Sequence, residues 1–256
     1  MSRIQKLFSE KKKDILNVYC TAGYPHLDDT LKVLSSLQKY GADMVEVGMP
    51  YSDPLADGPV IQQSSTIALQ NGMTIQKLFE QLKDFRKDVD VPVILMGYMN
   101  PVLQYGFEKF CEQAAALGID GLILPDLPIY EFENEYGTVI KKYGLDFIFL
   151  VTPETSEERI RQIDALSTGF IYAVSSSSTT GSDKEIGQQE NYFLRLQKMN
   201  LKNPILVGFG IKDKRTFQQA CKYSSGAIIG SAYIKALQNA GDLESATEQF
   251  LNGILR

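Results

Sequence analysis

A closed parallel (β/α)₈ barrel is the fold class the sequence predicts, and three observations predict it. The chain is 256 residues long, short apolar segments alternate with longer amphipathic ones throughout, and the apolar segments number eight. Eight βα units fit this length, right-handed crossovers wind them in one direction, and closure leaves no edge strand. No linker, low-complexity boundary or exact repeat interrupts the alternation, so a single TIM-barrel domain over residues 1–256 is expected. An open doubly wound sheet is the alternative that the same alternation leaves open.

Taken in order, the stretch Ile4 to Phe8 reads as an extra N-terminal helix able to plug the barrel floor. The eight strands are expected at NVYCTA (17–22), MVEVG (44–48), PVILMGY (92–98), GLILPD (121–126), FIFLVT (147–152), FIYAVS (170–175), PILVGF (204–209) and GAIIGS (226–231). Between them LDDTLKVLSSLQKY, TIQKLFEQLKDFRK, SEERIRQIDALS and KRTFQQACKY carry apolar residues three or four apart behind a capping residue, which is the pattern of amphipathic helices.

Composition narrows the function. With 26 basic and 31 acidic side chains the net charge is -5, which provides no basic footprint for nucleic acid. Cys20, Cys111 and Cys221 are odd in number, far apart and outside any C-x-x-C spacing, so neither a disulfide framework nor a zinc site is indicated and a reducing cytoplasm fits. The opening MSRIQKLFSEKKKD has no apolar run of signal-peptide length, and no run elsewhere approaches a membrane span, so a soluble cytoplasmic protein is expected. The only histidine, His26, falls in a turn after the first strand, which excludes a histidine triad or a histidine-rich metal centre. No lysine stands within a strand or at its last inward position, and Lys212 comes after the glycines of strand seven, which disfavours a Schiff-base aldolase. Glu46, Asp53, Asp57 and Asp126 are the acids a magnesium site would use, but nothing in their spacing gathers them at one point, and no metal is expected.

In such a barrel the loops after the strands form the active face. Strand alternation puts Met44, Glu46 and Gly48 on one face of MVEVG and Val45 and Val47 on the other, so Glu46 points into the barrel mouth. A carboxyl inside an apolar rim resists ionisation, and its pKa rises toward the range where a general acid or base works. A glutamate hydrogen-bonded within a polar core layer is the plain alternative. Asp57 follows eleven residues later in EVGMPYSDPLADGP, where prolines and Gly58 restrict the backbone and can return it over the same mouth. For Asp57 and Asp53 alike, ordinary turn capping is the competing explanation. At the far end VGFGI (207–211) and IIGSA (228–232) close strands seven and eight with glycines, Gly230 and Ser231 standing just before a helix. Loops there commonly cradle a phosphate, although either motif alone would suit a tight turn. The polar stretch SSSSTTGSDKEIGQQE (175–190) is too long for a simple βα connection and reads as a mobile lid or a solvated insertion.

These residues resemble the tryptophan synthase alpha chain family over essentially the whole barrel. EVGMPYSDPLADGP is similar to the family's E-x-G-x-P-x-S-D-P-x-A-D-G-P signature, and YCTAGYP (19–25), PVILMGYMNP (92–101), LPDLP (124–128), the TTG of the lid, GFGI and IIGSA extend the likeness. The resemblance implies a lyase that cleaves indole-3-glycerol phosphate to indole and glyceraldehyde 3-phosphate without a cofactor, working with a beta chain in an alpha2-beta2 tetramer. It implies Glu46 as catalytic acid/base and Asp57 as partner of the indole N–H. Tyr19, Tyr98, Tyr172, Thr180 and Phe209 are implied beside the substrate, and Gly181, Gly210, Gly230 and Ser231 at its phosphate. Two carboxylates suffice for that chemistry, because the indole ring is its own electron sink.

One stretch departs from the family. Where S-R-x-G-V-T-G is common, residues 175–181 read SSSSTTG, with Ser176 in place of arginine and Ser178 in place of glycine, so weaker charge contacts on lid closure are expected. Lys184, the only trypsin target between Arg161 and Arg195, lies inside that lid. A non-catalytic subunit that keeps the barrel is the competing function, and intact Glu46 and Asp57 speak against it. Another phosphosugar barrel enzyme is disfavoured, because it would need a lysine or a different base at the strand ends.

Overall fold

The computed structural model describes residues 1–174, 190–208, 210–238 and 240–256. Every expected strand is present, the first starting two residues early, the second as expected and the others shorter than the apolar run that announced them: β1 (Ile15–Thr21), β2 (Met44–Gly48), β3 (Val93–Met96), β4 (Gly121–Ile123), β5 in two segments (Asp146–Phe147 and Leu150–Val151), β6 (Ile171–Val174), β7 (Ile205–Gly208) and β8 (Gly226–Ile229). All neighbours pair in parallel and β1 pairs with β8 as well as with β2. The two halves of β5 account for closure: Asp146 and Phe147 pair with β4, and Leu150 and Val151 pair with β6. Between them the Ile148 amide donates to Leu122 and the Tyr172 amide to the Phe149 carbonyl, so the strand hands its hydrogen bonds from one neighbour to the other. The ring is therefore the barrel, and the open sheet is set aside.

Strand alternation sorts the side chains into two cores. Val18, Val45, Val47, Val93 and Leu95 face outward and pack beneath the surrounding helices. Ile15, Met44, Ile94, Ile123, Ile148, Leu206 and Ile228 face inward and fill the barrel with side chains from successive strands. Below them the helix Arg3–Glu10 closes the floor as expected, with Ile4 and Phe8, one turn apart, buried in the inner core and the Phe8 and Phe170 rings 6.0 Å apart. Ser2 starts that helix with a capping box, accepting from the Gln5 amide and donating its own N–H to Gln5 Oε1.

Two elements end earlier than their apolar pattern. The helix expected over 74–87 stops at Gln81, because Asp84 takes φ +66° and turns Phe85 into the core and Arg86 toward Asp120. β3 stops at Met96 because Tyr98 is the residue that caps the helix Met99–Tyr105. Among the described residues no helix is long and apolar enough to cross a membrane.

Candidate active site

Glu46 lies mid-strand in β2, opposite Tyr19 of β1 and Ile94 of β3, with no exposed surface. Asn17 Nδ2 donates to Glu46 Oε1 at 2.5 Å, while Glu46 Oε2 has no hydrogen-bond partner among the described residues. Burial in this apolar interior pushes the Glu46 carboxyl up to about 8, against the smaller opposing effect of the Asn17 amide. At neutral pH Glu46 is thus a carboxylic acid with a free end, which is the form a proton donor needs.

Asp57 reaches the same mouth from the loop that follows β2. That loop leaves the barrel by way of the Met49 amide, which donates to Met96 at 2.7 Å, and returns into the helix Pro59–Gln70, where Pro59 suits the first helical turn. The Tyr98 hydroxyl donates to Asp57 Oδ2 at 3.0 Å and accepts from the Ala56 amide at 3.1 Å. Partial burial raises the Asp57 carboxyl to about 6, with the Tyr98 hydroxyl opposing. It therefore remains mostly ionised at neutral pH, so two carboxyls of one mouth stand in different protonation states. Both act on one ring: burial raises the Tyr172 phenol first, and the charges of Glu46 and Asp57 raise it further.

Of the aromatic residues expected around a substrate, Tyr19 and Tyr98 share one cavity. Tyr19, Tyr98 and Tyr172 are all buried, and Tyr19, Met49, Tyr51, Pro54, Asp57 and Tyr98 line one cavity. Two glycines make room for these rings, a job their sequence motifs did not announce. A Cβ on Gly48 would lie 1.9 Å from the Tyr19 hydroxyl, and one on Gly208 would lie 2.3 Å from the Tyr172 ring. Gly208 thus serves an aromatic ring, whereas the sequence pattern suggested backbone approach to an anion; its partner Gly210 does take φ +76°. Gly230 packs beside Tyr19 and precedes the helix Ser231–Leu237, which brings the end of β8 to the same mouth. Thr180, Gly181, Lys184, the rest of the expected lid over 175–189, and Phe209 lie outside the described residues. Glu190, the last residue of that stretch, opens the helix Glu190–Lys198.

The remaining acids go elsewhere. Asp126 accepts from the Met99 amide with both carboxylate oxygens at 3.0 Å and so caps the helix after β3. Asp53 is exposed and accepts from the Ser52 hydroxyl. No group of three or more His, Cys, Asp or Glu residues is placed to hold a metal among the described residues. His26 is a surface residue bonded to Asp29. Sequence reasoning missed Asn17: its one signal was an amide at an inward position of β1, on the same face as the ring of Tyr19.

A parallel barrel with two carboxyls of raised pKa and three buried tyrosines at its C-terminal mouth defines an acid–base barrel enzyme. The family model of the tryptophan synthase alpha chain matches residues 5–253, and the chain belongs to that family. It is 57% identical over 242 residues to the tryptophan synthase alpha chain of Flavobacterium johnsoniae, covering 94% of this chain and 95% of that one. With the Bacteroides thetaiotaomicron protein of the same name it shares 51% identity over 247 residues, 96% of each chain. The crystal structure of tryptophan synthase subunit alpha from Legionella pneumophila str. Paris superposes with a TM-score of 0.89 at 35% identity, over 99% of this chain and 97% of that one.

Proposed function

We propose that this chain, a carbon–carbon lyase cleaving indole-3-glycerol phosphate to indole and glyceraldehyde 3-phosphate, divides the work between Glu46 and Asp57. Glu46, protonated through Oε2, gives its proton to indole C3. Positive charge then develops on the ring nitrogen, and ionised Asp57 accepts the N–H hydrogen bond and stabilises that charge. The bond between C3 and the glycerol carbon breaks, its electron pair returns to the ring, and the hydroxyl on that carbon becomes the aldehyde. The hydroxyl proton goes back to Glu46, which ends the cycle as it began, so protons and electrons balance without a cofactor.

Tyr19, Tyr98 and Tyr172 flank the indole, with Phe209 and Thr180 assigned to the substrate by family resemblance. Gly210, Gly230, Ser231 and Gly181 are assigned to its phosphate on the same ground, supported for Gly230 and Ser231 by their place at the end of β8. The family works with a beta chain, and an alpha2-beta2 assembly in the cytoplasm is the setting that accounts for the fate of the indole. The observation that carries the proposal is a fully buried Glu46 with one free oxygen in the same barrel mouth as an Asp57 held by the Tyr98 hydroxyl. Indole release from indole-3-glycerol phosphate by the purified chain, compared with Glu46→Gln, tests it. Turnover by the parent and near-silence in a folded variant is expected, and turnover that survives the substitution removes Glu46 from the mechanism.

A further inference from the structure

Asn17 is an amide that the fold itself does not need. It is fully buried, opposite Met44 on β2 and Ile228 on β8, beside an inner core filled by Ile15, Ile94 and Leu206 among others. An amide in apolar surroundings opposes folding unless both its ends are bonded. Here only one end is: Nδ2 donates to Glu46 Oε1, and Oδ1 has no partner among the described residues. A valine or leucine would pack the same layer with no polar atom left over, as its neighbours do. The one contact that distinguishes asparagine from them is the contact to Glu46.

We propose that Asn17 is a positioning residue for the lyase reaction, its amide holding Glu46 Oε1 as the carbonyl oxygen and so leaving Oε2 as the oxygen that gives and regains the proton. The proposal rests on the catalytic role of Glu46 set out above. A carboxyl in an apolar barrel can carry its proton on either oxygen and can rotate. An N–H donor at Oε1 removes that choice, because a proton placed there would face the donor's own hydrogen. The same donor serves both halves of the cycle, since it also stabilises the carboxylate that exists between proton donation and proton return. An amide turned the other way would set oxygen against oxygen whenever Glu46 is ionised, so the orientation found is the one both states tolerate.

A hydrogen bond that favours the ionised form must show in the pH profile. The other titratable groups that bear on Glu46 are Tyr19, its register partner on β1, Tyr172 and the outward-facing Cys20, whose ionisation the Glu46 charge opposes, and Asp57, which acts on both tyrosines. Burial raises the tyrosines and pushes the Cys20 thiol up to about 12, so these three stay neutral near neutral pH and do not move a limb there. The alkaline limb of kcat/KM, where protonated Glu46 is lost, then reports on Asn17 directly.

The test is Asn17→Val, assayed by indole release across pH and by thermal unfolding. Expected are a melting temperature equal to or above the parent's, kcat lowered about tenfold or more, KM within about twofold, and an alkaline limb displaced to higher pH by about half a unit or more. An unmoved limb overturns the proposal whatever happens to kcat, and a lowered melting temperature with an unmoved limb reassigns Asn17 to packing. Should Asn17→Val not fold, Asn17→Thr, which suits a strand and carries a shorter donor, is read by the same limb. Glu46→Gln separates this inference from the one beneath it. If that variant is silent while Asn17→Val behaves as the parent, only the role of Asn17 falls; if it turns over, both fall.

Discussion

At the floor of the barrel Asp120 accepts from Arg86, Arg3 and the Val93 amide, and Asp43 from Lys11 and the Leu16 amide. At the mouth Glu46 and Asp57 meet only the neutral donors Asn17 and Tyr98. Both ends hold carboxyls, but the floor surrounds Asp120 and Asp43 with cations and backbone amides, which fix them in place. The mouth provides one neutral donor each, too little to offset lost hydration, and both acids are pushed up. Asp146, at the floor, resembles the mouth: its donors are hydroxyls, chiefly that of Ser2, and burial raises it as well. What separates a structural acid from a reactive one in this chain is the charge of its partners more than its burial.

The comparison breaks most visibly at Arg86. Arg86→Ala leaves Asp120 buried without its main cation and strips three backbone carbonyls of a donor. A loss of roughly 3–5 kcal/mol in unfolding free energy is expected, with kcat per folded molecule unchanged. Denaturant unfolding together with active-site titration checks both halves, and a kinetic defect in the folded fraction would erase the division between floor and mouth.

Glu46→Gln should do the reverse, losing about 10²-fold or more in kcat with the fold intact. Its stability should also change with pH in a set direction. The folded-state pKa of about 8 lies above the ordinary 4.5 of a glutamate, so the folded chain holds the extra proton between those values and the parent loses stability there as pH rises, by about 1.4 kcal/mol per pH unit. Glutamine has no proton to lose, so melting curves at pH 8–9 should show the variant above the parent. Equal slopes for the two proteins would mean that Glu46 is ionised in the fold.

A smaller effect is expected at Asp57, on the order of 2 kcal/mol in the barrier for Asp57→Asn, since the amide keeps an acceptor but loses the charge. The fall of activity below about pH 6 should vanish in that variant while the alkaline fall stays. If the acid limb survives unchanged, it belongs to the substrate phosphate, whose own second ionisation lies near the same value. The smallest effect is at Ser2, where Ser2→Ala removes the cap of the floor helix and the hydroxyl on Asp146. About 1 kcal/mol of stability is expected to go, with kinetics untouched. Thermal unfolding reads it, and a change in KM would show that the plug communicates with the mouth.

Much of this was legible before any coordinate. Alternation with period two is a local property of a strand, so MVEVG alone determined that Glu46 faces inward while Val45 and Val47 face the helices. Periodicity and length determined eight strands and favoured a closed sheet over an open one, and Ile4 and Phe8, one turn apart, determined that an extra helix would bury one face. The signature around Asp57 determined the family and with it the reaction. Tertiary structure alone decided which residues meet. Asn17 and Glu46 are 29 residues apart and touch because β1 and β2 pair in the register that sets Tyr19 beside Glu46. Gly48 reads only as an inward strand position until that register lays the Tyr19 ring across it, and Gly208 reads as a phosphate loop until Tyr172 fills its place. Asp126, one acid among several in the sequence, is spent on the Met99 amide of the neighbouring unit. Register and closure are sums over many distant contacts, and no window of sequence contains them.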